Sequence, residues 1–213
     1  MALSSENTEI TEQHFAEAEV EAKKIIGEIP PGLFYHCPDH TFGHVVPASL
    51  EISRIEGLRD GVRLLVGIMA LFHDTGFSKV YDGHEEASVG LVNEFMVNSQ
   101  FPYTAEQMAE VGAGITMTKR VGSPSTMSAR VLMDADLSIL AHPDFLDWNN
   151  ALREELKAFP SAKMSRFAQT DADWGTVQMR FFEKHKWFTK TGFDMYEEGK
   201  RRNIEDFRRK YGL

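Results

Sequence analysis

The chain has little of what would mark it as secreted, membrane-spanning or built on sheet. Its single cysteine, Cys37, cannot form an internal disulfide, so a disulfide-stapled scaffold is excluded. The longest apolar run, Leu64 to Phe72, is nine residues, about half of what a bilayer-spanning helix needs. The opening residues, MALSSENTEITEQ, lack the charged-then-apolar layout of a signal peptide, and a cytoplasmic location is the resulting expectation. Strand signals are scarce as well: there is no long alternating β-branched run and no Asn-Gly hairpin turn. Positive charge is in deficit, with 23 Lys and Arg against 32 Asp and Glu, which argues against broad nucleic-acid binding. A Gly-rich phosphate loop is also missing.

What is present is an ordinary globular composition over 213 residues, 42% hydrophobic and 26% charged, together with eight histidines. The apolar spacing is helical, so the expected class is all-α. A first helix is expected from about Thr11 to Glu28, stopped by Pro30 and Pro31. A second should begin near Pro38, with a kink at Pro47, whose ring would clash with the Gly43 carbonyl of a regular helix. The third, about Asp60 to Asp74, is apolar nearly all round and belongs in the middle of a bundle. A fourth starts near His84, and a fifth opens on a Thr104–Gln107 capping box. After a loop at Gly122 to Ser125, a sixth should run through Ala129 to Leu140. Further helices are expected near 144–158, 172–186 and 193–211, the last presenting Lys200, Arg201, Arg202, Arg208, Arg209 and Lys210 as a solvated charged face. One domain over 1–213 is expected, with a core at about 30–141 and a helical cover at 142–213.

Three features carry chemistry. His73 and Asp74 end the most apolar helix, where the negative end of the helix dipole and burial both disfavour a carboxylate unless a cation lies beside it. ALFHDTGF supplies no cationic side chain before Lys79, whereas a metal ion would satisfy both residues. His36, His40 and His44 recur every four residues; His40 and His44 can share a helix face. Asp136 interrupts the stripe formed by Leu132, Met133, Ile139 and Leu140 and should point inward. Asp134, rotated by about 200°, is expected to face outward beside Arg130 and Ser138.

With these residues in view, YHCPDHTFGHVV (35–46), ALFHDTGF (70–77) and LMDADLSIL (132–140) resemble the H...HD...D pattern of the HD-domain superfamily. GHEEASVGLV (83–92) and GITMTK (114–119) look like its intervening segments, and Trp174, Gln178, Phe181, Phe182, His185, Phe188, Thr189, Lys200 and Asn203 resemble, more loosely, the tail of bacterial members. The resemblance implies a helical bundle in which His40, His73, Asp74 and Asp136 bind one or two divalent ions (Mn, Mg, Fe, Co, Ni or Zn). It also implies hydrolysis of a phosphate monoester or nucleotide through a metal-bound hydroxide. Asp74 is then expected to orient water, with His84 and Lys119 as further catalytic candidates and Glu85 or His44 as additional ligands. The expected partner is a small phosphate-containing anion, with homo-oligomerisation left open. The alternatives are a diiron oxygenase or a nitrile-type hydratase on the same fold, or a metal or nucleotide sensor without turnover.

Overall fold

A computed structural model describes residues 9–119 and 123–213, and the fold is all-α, with nine α-helices and no strand among the described residues. The helices are α1 (Glu12–Ile26), α2 (Val46–Ile55), α3 (Asp60–Phe72), α4 (His84–Asn98), α5 (Ala105–Met117), α6 (Met127–Asp136), α7 (Phe145–Ala158), α8 (Asp171–Lys184) and α9 (Lys190–Tyr211). No helix among the described residues is long and apolar enough to cross a membrane. Of the expected loop at Gly122 to Ser125, Gly122 lies outside the described residues, and 123–125 are non-helical.

Helix α3 is the axis of the first core. Val66, Ile68, Met69, Leu71 and Phe72 are sealed from solvent on all sides, as an all-round apolar sequence requires, and α1, α2, α5 and α6 pack around them. Helix α5 begins with the reciprocal cap expected: the Thr104 hydroxyl accepts from Gln107 N (3.2 Å) and the Gln107 amide oxygen from Thr104 N (2.8 Å).

A second cluster, built on Leu137, Phe145, Leu156, Trp174, Phe182 and Phe207, joins α7, α8 and α9 to a 3-10 turn at Ser138–Ala141. Helix α9 also packs against α2, α6 and that 3-10 turn.

Four expectations need correction. The segment before Pro47 is not a regular α-helix; it widens into a π-helix over Asp39–Val45, in which the Val46 amide donates to Thr41, five residues back. Proline then falls in the first turn of α2, where its missing N–H and fixed φ cost little. Helix α6 stops at Asp136 rather than continuing to Leu140. Asp134, expected outside, is fully buried, because α6 has a second covered face: the Asp134 carboxylate accepts from Phe188 N (2.8 Å), Thr189 N (2.8 Å) and Thr189 Oγ1 (2.7 Å) at the entry to α9. Lys200 leaves the solvated basic face of α9; it is buried, and its Nζ donates to the His185 carbonyl oxygen at 2.9 Å.

Candidate metal centre

Four backbone devices bring the site together. The π-turn carries His40 inward, with the Tyr35 ring against it at 4.8 Å between centroids. Helix α3 ends at Phe72, so His73 and Asp74 sit in the turn where the chain leaves the core. The next turn, Thr75–Ser78, is bolted to α4 through Ser88, whose hydroxyl donates to the His73 carbonyl oxygen (2.8 Å) and accepts from Gly76 N (2.8 Å). Any side chain at Gly76 would run into the His84 carbonyl, so glycine permits this approach. Gly83, at φ +89°, makes the left-handed entry that starts α4 on His84.

The structure brings together His40, His73, Asp74 and Asp136. Asp74 Oδ2 lies 3.0 Å from His73 Nε2 and 3.6 Å from His40 Nε2; Asp136 Oδ1 lies 3.3 Å from His40 Nε2 and 3.7 Å from His73 Nε2. His73 Nδ1 donates to the Ala70 carbonyl oxygen at 2.7 Å, so that once a cation displaces the proton from Nε2 it is the Nε2 lone pair that faces the carboxylates.

These residues fit a metal ion on two counts. His40 Nε2, His73 Nε2 and Asp74 Oδ2 are buried and none makes a well-aligned hydrogen bond, although His73 Nε2 and Asp74 Oδ2 face one another; buried polar atoms left unsatisfied cost roughly 1–3 kcal/mol each. Ligand atoms about 2.1 Å from one ion lie about 3.0 Å apart when adjacent and about 4.2 Å apart when opposite, and the four separations above fall in that interval. His40, His73 and Asp74 therefore form a buried group able to hold a metal ion, with Asp136 beside them.

The electrostatics of the protein groups alone point the same way. Burial disfavours charge on His73, yet Asp74 and Asp136 outweigh it and hold the imidazole up at about 9. Burial opposes ionisation of Asp74 too, and the flanking His73 and His36 overcome it and push its pKa well below the usual carboxylate range. The pocket thus holds carboxylates that call for positive charge.

The other candidates divide. His84 reaches the site: its Nδ1 donates to the Tyr81 carbonyl oxygen (3.0 Å), and its Nε2 lies 3.7 Å from Asp74 Oδ1 and 3.7 Å from Glu85 Oε1. Burial pushes the His84 pKa down, although Asp74 opposes this. Asp74 consequently shows one oxygen to His40 and His73 and the other to His84. Lys119 lines the cavity outside the cluster, with its Nζ paired to Glu86. His44 points elsewhere; its ring packs edge-on to Trp148 and His142, at 5.0 and 4.9 Å.

Sequence reasoning missed the group behind the site. Glu155 of α7 is fully buried and accepts from Tyr35 N (2.9 Å), His36 N (3.0 Å), His36 Nδ1 and the Tyr81 hydroxyl (2.8 Å). It anchors the segment leading to His40 and sets His36 against Phe77, which is stacked between the His36 and His84 rings at 4.1 and 3.8 Å. The signal was available, since Glu155 interrupts the apolar stripe Leu152, Leu156, Phe159 as Asp136 interrupts its own.

A cavity of about 540 Å³ opens from Asp74 and Asp136 toward α7 and α8, within the size range of small-molecule sites. Comparison with protein-family models, with curated proteins and with solved structures finds no match to this chain.

Proposed function

We propose that the chain is a metal-dependent hydrolase of phosphate monoesters, of the HD-domain type that its H...HD...D order resembles. The observation that carries this reading is the convergence of His40, His73, Asp74 and Asp136 at the edge of a ligand-sized cavity, with buried ligand atoms that lack well-aligned hydrogen bonds. A divalent ion held by these four residues would supply Lewis acidity for the attacking water and neutralise phosphate charge. Around it, Asp74 Oδ1 and His84 Nε2 lie 3.7 Å apart, close enough for both to accept from one water molecule lying beside the pair. Since His84 Nδ1 already donates to Tyr81, its Nε2 lone pair is available for the water's proton, and its lowered pKa keeps that lone pair free near neutral pH. Lys119, screened by Glu86, would meet the anion at the cavity wall.

One geometric fact favours a second reading. The two-sided exposure of Asp74, to His40 and His73 on one oxygen and to His84 on the other, suits a carboxylate shared by two ions, an arrangement an iron oxygenase on this fold would also use.

The discriminating experiment chelates the purified protein, returns Mn, Mg, Co, Ni or Fe singly, and measures metal content and phosphate release over a phosphoester panel. Metal-stimulated release, reduced at least about a hundredfold in Asp74→Ala, is expected. Stoichiometric binding with no release by any metal would overturn the hydrolase reading, and a coloured two-iron protein consuming dioxygen would replace it.

A further inference from the structure

We infer that the alcohol carried by the substrate is apolar, so that the site takes the phosphate ester of an aliphatic or aryl alcohol in preference to a nucleotide. The phosphate end of this inference rests on the hydrolase reading; the apolar end rests on the cavity wall alone.

The cavity has two unlike sides. Asp74, Asp136, His36 and His84 gather at one end. Away from them, the 3-10 turn, α7 and α8 contribute Ile139, Leu152, Val177, Phe181 and Phe182. The polar pair in this second wall, Asn149 and Gln178, is partly committed: Asn149 Oδ1 accepts from Trp174 Nε1 (2.9 Å), and Asn149 Nδ2 donates to Gln178 Oε1 (3.1 Å), which leaves the Gln178 amide nitrogen as a donor. A ribose placed there would find fewer partners for its hydroxyls than water offers, a loss that recurs for each unpaired group. An alkyl or aryl body would instead remove apolar wall from water.

Charge at the mouth acts in the same direction. Asp82 and Glu85 line the cavity along with Lys119 and Lys163, and Lys119 is already paired with Glu86. Such a mouth does not favour the several negative charges of a nucleoside di- or triphosphate. A monoester places its one phosphate at the metal end and leaves no anion for the wall.

The test uses the full chain loaded with manganese. Ethyl-, butyl-, hexyl- and octylphosphonate are titrated by calorimetry, and the matching alkyl phosphates and adenosine monophosphate are compared as substrates. Affinity is expected to rise about two- to fourfold per added methylene until the wall is covered, with hexyl phosphate exceeding adenosine monophosphate in kcat/KM. Val177→Asn should flatten the series, and Val177→Phe should cut it off at a shorter chain, with metal content confirming that each variant is folded. Affinity independent of chain length, no phosphonate binding at all, or a preference for the nucleotide would overturn the inference. Rising phosphonate affinity with no ester hydrolysed under any metal would sustain the apolar wall and overturn the hydrolase reading, which separates the two failures.

Discussion

Asp134→Ala separates the two inward carboxylates of α6. Asp134 is sealed from solvent and accepts three hydrogen bonds from Phe188 and Thr189 at the N-terminal entry of α9. Thr189 in turn caps that helix, its hydroxyl accepting from Gly192 N at 2.8 Å. Alanine would leave the Phe188 and Thr189 amides facing a void at roughly 1–3 kcal/mol each, and would remove an anion from a helix N-terminus, a further 0.3–1 kcal/mol or so. The expected loss is therefore about 3–5 kcal/mol, a large part of the roughly 5–15 kcal/mol that holds a typical domain together. Asn keeps one acceptor and should lose about half as much. Urea denaturation of the chelated protein measures this directly, and hydrogen exchange at 188–192 should accelerate in step. Asp136→Asn, at the cavity, should instead change unfolding by less than about 1 kcal/mol while abolishing tight metal binding. A loss below about 1 kcal/mol for Asp134→Ala, or a selective loss of metal from it, would refute the assignment of Asp134 to the α6–α9 junction.

Two further outcomes follow from the same geometry. In the chelated protein, burial opposes charge on both His36 and Glu155, yet their mutual attraction raises the His36 pKa and lowers that of Glu155. The stability from His36 is present below its unfolded value near 6.5 and disappears as pH rises through its higher folded pKa. That from Glu155 is present above its unfolded value near 4.5 and disappears as pH falls through its lower folded pKa. The wild-type advantage over Glu155→Gln should therefore peak between those limits and shrink on both sides in urea titrations across pH; a flat difference would count against the pair. Gly76→Ala should cost about 3 kcal/mol, because the added methyl meets backbone atoms of His84 and Ser88 and α4 must move away. Unchanged denaturation together with unchanged metal content would show that the junction between the Thr75–Ser78 turn and α4 is looser than drawn.

How much of this was legible in the sequence depends on how many faces an element buries. Helix α3 announced itself because an apolar surface on every side has only one resting place, and its polar ending, His73-Asp74, stood out against that background. Asp136 was found by the same contrast. Asp134 was misplaced because the reasoning granted α6 a single buried face; the helix is covered by the first core on one side and by the start of α9 on another, so residues about 200° apart both lie inward. The second covering surface comes from residues more than 50 positions later in the chain, and helical periodicity within α6 carries no trace of it. Pro47 is a related case: its ring clashes only in a regular helix, and the backbone widens one turn earlier.

Glu155 shows where a stricter use of the same rule would have reached further. It breaks the stripe of α7 between Leu152 and Phe159, whereas Glu154 lies on the face of Lys157, with which it pairs at 2.7 Å. A carboxylate at a stripe position must find donors, and those it finds are Tyr35, His36 and Tyr81, two segments that flank the metal centre from opposite sides of the sequence. Helix α7 therefore does more than close the cavity: by gathering these donors onto one buried carboxylate, it couples its own docking to the position of the chain that delivers His40. Loosening α7 should consequently loosen the metal centre, although none of the four proposed ligands belongs to it.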